Sequence, residues 1–399
     1  MYDAIVVGAR CAGSPTAMLL ARKGYRVLLL DKAGFPSDHL STHWIQQPGV
    51  AHLERWGLRE RLASTDCPPI TSITMDFGPF ALRGTPPPAD DVAEAYCPRR
   101  TVLDKLLVDA AVEAGVELRE HFSVQDLLWD GERVSGISGR SATGTTVREQ
   151  ARIVIGTDGV HSLVARQVEA PTYNERPTFG CGYYSYWSGV PISGVEVYPR
   201  DHCVCTALPT HHGLTLILVG WPHEEFHAFR ANIEGNFLKT LEQAPALAER
   251  VRQGRREERI TGTAELYNFF RKPYGPGWAL VGDAGYHKAP DTAQGITDAF
   301  RDAELVAEAI DAGLSGQRPL EETLADYERQ RNEAALPMYE FTCQLATLEP
   351  PSPQMRQLFA ALCHDQEQTN RFFGVIAGTV SVEEFFAPEN LGRIMSATA

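Results

Sequence analysis

The stretch Tyr2–Asp31, YDAIVVGARCAGSPTAMLLARKGYRVLLLD, constrains this chain more than any other. Ile5-Val6-Val7 is a short apolar run, the mark of a buried strand. A glycine turn follows, Gly8-Ala9-Arg10-Cys11-Ala12-Gly13. Ala17-Met18-Leu19-Leu20-Ala21 then reads as helix, with Gly24 as its C-terminal stop. A second apolar run, Val27-Leu28-Leu29-Leu30, ends in Asp31. Glycines at a strand-to-helix turn and an acid about 20 residues later form a dinucleotide-binding fingerprint. Backbone N–H groups at the helix start face a pyrophosphate, and the helix dipole favours its charge. Asp31 stands where a carboxylate accepts from a ribose hydroxyl. One position departs: Arg10 replaces the middle glycine of G-x-G-x-x-G, which lets the pyrophosphate approach the backbone. Arg10 either turns its side chain away or offers its guanidinium to a phosphate or an anionic substrate group.

A chain of 399 residues is too long for one core and implies two domains with a helical appendage. A net charge of −14 argues against nucleic-acid and anionic-membrane partners. No apolar run is long enough to span a bilayer. The start runs straight into a strand without signal-peptide flanks, so the cytoplasm is the expected compartment. Oligomeric state is open. The eight cysteines include no C-x-x-C. Cys203 and Cys205 share one face of a strand-like run near His202, His211 and His212, but this spacing fits no zinc pattern and no metal is expected.

Lys32–Val50 is a loop rich in Pro, Ser and His that follows the ribose acid, and it offers His39, His43 and Gln46 as site residues. Val50–Leu62 reads as one short amphipathic helix. Arg100 opens a helical run, against the dipole, so an anion is expected beside it; Arg99 competes for that role. Ile153-Val154-Ile155 is a second buried strand running into Gly156-Thr157-Asp158-Gly159. The segment 180–221 has strands at hairpin spacing and carries Tyr183, Tyr184, Tyr186, Trp187 and Trp221, candidate walls of a substrate pocket. Trp278–Val281 is a third buried strand, ending in Gly282-Asp283 and then Pro290–Ile296 before a long helix. A further helix contains Pro337, and Gln354–Met395 is expected to be helical and to pack on the outside.

Three stretches now stand in order: Gly8–Gly13 with Asp31, Asp158-Gly159 with Ser162 and Arg166, and Gly282-Asp283. Together they resemble the flavoprotein monooxygenases of the p-hydroxybenzoate hydroxylase superfamily, with their geranylgeranyl-reductase and flavin-halogenase relatives. The resemblance covers about residues 1–60, 95–170 and 260–345. It implies an α/β fold with a Rossmann-like, glutathione-reductase-type FAD-binding domain, discontinuous over 1–70, 96–170 and 265–320. An inserted antiparallel β-sheet substrate domain would take 71–95 and 171–264, and C-terminal helices 321–399. Implied FAD-binding positions are Gly8, Ala9, Arg10, Cys11, Ala12, Gly13, Asp31, Lys32, Arg100, Asp158, Gly159, Gly282, Asp283, Pro290, Ala293, Gln294, Gly295 and Ile296. Asp158 matches an acid associated with both FAD and NAD(P)H, and Asp283 one that bonds the ribityl chain. Against the family's P-x-x-G-x-G-x-N, Thr292 is read as replacing a glycine and Thr297 as standing for Asn.

The chemistry the resemblance implies is NAD(P)H- and O2-dependent hydroxylation of an aromatic or polyketide-like small molecule through a flavin C4a-hydroperoxide. NAD(P)H would dock transiently, because no second glycine-rich βαβ unit is visible. Pro290 would lie beside the reactive face of the flavin. His43 and His287 are candidate bases, as is His212. The alternative is a reductase or dehydrogenase acting on C=C bonds. A halogenase ranks lower, since Tyr186–Pro191 matches W-x-W-x-I-P only loosely, and a non-catalytic flavin-binding protein ranks last.

Overall fold

The computed structural model describes residues 1–396. β1 (Tyr2–Val7) lies parallel to β2 (Val27–Leu30) on one side and to the strand Thr146–Gly156 on the other. Trp278–Leu280 extends this sheet in parallel beyond Thr146–Gly156, and Glu117–Arg119 extends it beyond β2. Both faces are covered at the centre, which is why Ile5–Val7, Val27–Leu30, Ile153–Ile155 and Trp278–Leu280 read as apolar runs. On one face the helices Gly13–Arg22, Arg100–Glu113 and Gly295–Leu314 bury Met18, Leu20, Leu103, Leu107, Phe300 and Ile310. On the other, the hairpin strands Ser123–Asp130 and Arg133–Arg140 cover Ile5, Leu28, Leu30 and Val154.

Register aligns the strand ends. Val7 is level with Leu30 and with Gly156, and Leu280 is level with Gly156. The turns after these four strands therefore emerge at one edge, the carboxyl edge where open α/β sheets bind ligands.

A second sheet is built on the strand Gly180–Ser188, Thr215–Pro222, Cys203–Pro209 and Val195–Arg200, all antiparallel. Val195–Arg200 then pairs in parallel with Ile73–Asp76, which forms a hairpin with Ala81–Gly84. The outer face packs on the helices Phe226–Arg230, Ile233–Leu241 and Pro245–Gln253.

Two expectations are corrected. Val50–Leu62 is not one helix: Gln47–Arg55 and Arg59–Ala63 are separated at Gly57, whose φ of 75° only glycine adopts freely. The C-terminal helices Pro353–Leu362 and Gln366–Ala377 do not lie on the outside. They cover the inner face of the second sheet, with Leu358, Phe359, Phe372, Phe373 and Phe385 buried against Tyr184, Tyr186, Trp44 and Ala293. Each such ring contributes about 1.5–3 kcal/mol by burial, so this roof is a fixed part of the core.

Candidate active site

The glycine turn is held by close packing. Gly8 has φ +104°, and a Cβ there would lie 2.6 Å from the Thr157 carbonyl oxygen; one on Gly13 would lie 1.7 Å from the Gly8 oxygen. Thr157 Oγ1 donates to the Val7 and Gly8 carbonyls, at 2.8 and 2.7 Å. Asp31 is joined to this turn: its Oδ2 accepts from the Ala9 N–H at 2.7 Å and its Oδ1 from the Ala33 N–H at 2.8 Å. Each oxygen keeps a lone pair for a further donor. Lys32 is exposed, and Ala12 opens the helix.

Arg10 turns its side chain aside. It donates to Asp104 Oδ2 at 2.5 Å and Ser37 Oγ at 3.0 Å, with its guanidinium 5.4 Å from the Phe35 ring. Arg100 grips the same carboxylate, Nε to Oδ1 at 2.9 Å, and Cys11 Sγ lies 3.4 Å from that oxygen. The anion expected beside Arg100 is thus Asp104, which is fully buried. The sequence reading missed Asp104, though Arg100 and Asp104 stand at helical i,i+4 spacing. The Asp283 carboxylate also acts on Arg100, which brings the third motif to the first. Asp283 itself is exposed on the turn Gly282–Ala284. The competitor Arg99 points elsewhere, to Glu258 at 2.8 Å.

Asp158 behaves as a helix cap. It accepts from Ser162 Oγ and the Leu163 N–H at 2.5 and 2.7 Å, while burial still raises its carboxyl above the ordinary value. Gly159, at φ +79°, leaves open space beyond the turn.

The turn before the long helix is built differently from the sequence reading. Its left-handed residue is Ala293, at φ +53°, the fourth position from Pro290 and the place of the pattern's first glycine. Thr292 instead lies buried, its hydroxyl 2.7 Å from that of Thr342. Gln46 Nε2 reaches the Thr292 carbonyl at 3.3 Å, and Gln294 Nε2 donates to the Ile376 carbonyl at 2.8 Å, so the loop, the turn and the C-terminal roof meet. Ile296 is buried behind them, and a side chain on Gly295 would meet nothing.

Around this junction, His43 Nδ1, Trp44 Nε1, the Oε1 atoms of Gln46 and Gln47, and Thr297 Oγ1 are buried with no hydrogen-bond partner. Buried polar groups are ordinarily paired. Such a cluster, donors beside acceptors, fits the heteroatom edge of a flavin, just as the glycine turn fits its pyrophosphate.

Comparison decides the family. The FAD binding domain family matches residues 1–342. The chain belongs to the FAD-binding-domain family. It is 26% identical over 355 residues to tryptophan 2-halogenase of Chondromyces crocatus, covering 82% of this chain and 64% of that protein. The digeranylgeranylglycerophospholipid reductase 2 of Methanopyrus kandleri is 28% identical, with 78% of each chain covered. Kynurenine 3-monooxygenase of Stenotrophomonas maltophilia is 24% identical, covering 83% of this chain and 75% of that one. The structure of the myxobacterial chondrochloren halogenase superposes with a TM-score of 0.81 over 99% of this chain and 97% of that one, at 21% identity. The protein is an FAD-dependent oxidoreductase with the fold of these flavoenzymes.

In this FAD-binding protein the aromatic strand divides by alternation. Tyr184 and Tyr186 lie on the inner face of the second sheet, beside His43 and under the C-terminal helices. Tyr183, Trp187 and Trp221 face the other way: Trp187 stacks on Phe237 and Trp221 packs at a tilt on Phe229, in the outer core. They are therefore not pocket walls, because successive strand residues point to opposite faces. Tyr186 hydroxyl pairs with His43 Nε2, and the Arg99 guanidinium lies 3.9 Å from the Tyr186 ring centre. Burial, with Arg100 and Arg99, holds His43 well below the usual imidazole range, so it is neutral. Its φ of +63° is uncommon for a non-glycine residue. His212 is exposed, and His287 bonds the Tyr267 carbonyl and stacks on Phe269; neither joins this group.

A second buried cluster backs the helix start. Lys288 Nζ donates to Tyr286 hydroxyl at 2.9 Å and pairs with Asp298. Arg301 clamps Asp298 and Asp302, at 2.8 and 2.7 Å. Although burial would raise the Asp298 carboxyl, Lys288 and Arg301 hold it below the ordinary value. The network fixes the helix N-terminus next to Pro290–Gly295, where the dipole favours negative charge.

No helix among the described residues is long and apolar enough to cross a membrane.

Proposed function

We propose that this FAD-dependent oxidoreductase is an NAD(P)H- and O2-dependent monooxygenase that hydroxylates an aromatic or polyketide-like small molecule. The observation that carries this reading is His43: a buried, neutral imidazole with Nε2 on Tyr186 and Nδ1 without a partner, at the inner face of the second sheet. Bound FAD supplies the electron transfer and oxygen chemistry. Gly8–Gly13, Asp31, Arg100 and Asp283 would hold its pyrophosphate, ribose and ribityl portions, and Gln46, Gln294 and Thr297 its ring edge. The phenylalanine-rich roof and Tyr184 exclude water from the cleft, which protects reactive oxygen species. His43 Nδ1 accepts a hydrogen bond from a substrate hydroxyl and so orients it, and Tyr186 keeps the tautomer by accepting from Nε2–H. Pro290, which opens the turn Pro290–Thr292, would line the flavin site there.

The kynurenine 3-monooxygenase likeness supports this reading. A C=C reductase is the second reading, favoured by Ala293 and Thr297 in the turn and by the likeness to a lipid reductase. Product mass tests them. The FAD-loaded enzyme is incubated with NADPH or NADH, air, and a panel of phenols, polyketides and isoprenoids. Gain of one oxygen from labelled O2 is expected. A two-hydrogen change that persists without O2 supports the reductase, and incorporation of added halide supports a halogenase.

A further inference from the structure

The turn that carries Asp283 is gripped from behind by one helix. Tyr327 and Arg331 stand four residues apart on the helix Leu320–Ala346, so they share a face. The Tyr327 hydroxyl donates to the Leu280 carbonyl at 2.9 Å, just before the turn Gly282–Ala284. Arg331 Nη1 donates to the Gly285 carbonyl at 3.1 Å, just after it. Arg331 Nη2 donates to the Arg271 carbonyl, also at 3.1 Å. Arg271 in turn donates through its backbone N–H to the Gly285 carbonyl at 2.8 Å, and through Nη1 to the Ala284 carbonyl at 2.9 Å. Its Nη2 reaches the Val160 carbonyl at 3.3 Å, next to Asp158-Gly159. Two arginines thus tie the backbone of the second turn to that of the third, while Asp283 itself is exposed.

Arg331 is fully buried. Its remaining donors go to the Tyr173 hydroxyl and to Asn332 Oδ1, both at 2.8 Å. Among the described residues no carboxylate forms an ion pair with it, and its charge reaches Asp302 through space. A buried cation without a paired anion is costly, and a residue that merely packed this helix would need no charge. The planar guanidinium instead serves as a fork that meets carbonyls of two segments at once. We propose that Arg331 is a positioning residue for FAD. It fixes the turn Gly282–Gly285 so that the Asp283 carboxylate is in place before the ribityl chain arrives, and Tyr327 and Arg271 complete the clamp. A site ordered in advance binds more tightly because less freedom is lost on binding. This rests on the reading of Asp283 as the ribityl acid, and holds whichever chemistry the flavin then performs.

The test is a double-mutant cycle on FAD affinity. The full chain, parent and variants, is titrated with FAD by flavin fluorescence, and urea unfolding of each is measured beside it. Asp283→Ala and Arg331→Met are each expected to weaken FAD binding at least about tenfold. The double variant should bind within about twofold of Asp283→Ala alone, because a residue that acts through another adds nothing once that other is gone. Arg331→Lys should recover part of the affinity. Trp187→Ala, which loses stability in the outer core, should keep the parent affinity. If Arg331→Met does not fold, Tyr327→Phe takes its place in the cycle; it removes one hydroxyl and should weaken binding about threefold. Additive losses in the cycle, parent affinity in the clamp variant that folds, or an equal loss in Trp187→Ala overturns the proposal. Parent affinity in Asp283→Ala overturns the reading of the turn, and the proposal with it.

Discussion

Asp104 lies between Arg10 and Arg100, accepting from the first through Oδ2 and from the second through Oδ1. One buried anion thus fixes both the arginine in the glycine turn and the arginine at the start of the neighbouring helix. Asp104→Ala leaves two cations facing each other without it. The expected loss is about 3–5 kcal/mol of unfolding free energy, measured by urea denaturation, together with weaker FAD retention. A loss below about 1 kcal/mol would show that Arg10 and Arg100 do not depend on Asp104.

Asp283 is open to solvent on the turn after the strand Trp278–Leu280. Asp283→Ala should therefore fold normally and purify largely free of flavin, as read from the ratio of visible to ultraviolet absorbance. Full FAD content in that variant would sink the assignment of this turn to the cofactor.

Tyr186 and Trp187 are neighbours with opposite surroundings. Trp187→Ala removes a ring from the outer core and should cost about 3–5 kcal/mol of stability, with little effect on turnover per folded molecule. Tyr186→Phe loses one hydrogen bond, about 1 kcal/mol, yet should lower kcat and alter its pH profile by freeing His43 Nε2. Thermal melts and pH–rate curves on both variants check this, and the reverse pattern would contradict the two faces.

Glu304 on the long helix accepts from Trp56 Nε1 at 2.8 Å, from Arg55 and from His52. Burial would raise its carboxyl, but these partners hold it at about 2. A depressed carboxyl stabilises the fold above its unfolded value, about 4.3, and loses that contribution as pH falls toward 2. Partial exposure screens the effect, so Glu304→Gln should cost about 1–2 kcal/mol at pH 7. The gap between variant and parent should close between pH 4.5 and 2.5 in denaturation measurements; a constant gap would refute the linkage.

Much of this protein was legible in the chain itself. The parallel strands are apolar runs because both faces of that sheet are covered, and their turns carry glycines because Gly8 and Gly13 admit no Cβ. Local pattern therefore determined the nucleotide-binding unit, the order of its three turns and the long helix behind Pro290. Tertiary structure decided what local pattern cannot encode. Alternation predicts two faces for Gly180–Ser188 but not which one lies against His43, so Tyr184 and Tyr186 separate from Tyr183 and Trp187 only when the outer helices dock. An amphipathic C-terminal segment announces a buried side but not its partner, so its role as a roof over Trp44 and Ala293 was hidden. The partners of Arg10, Lys288 and His43 lie 94, 10 and 143 residues away. Charges and hydrogen bonds act over a few ångströms in space, whatever the distance along the chain, and that is why only the folded protein could reveal them.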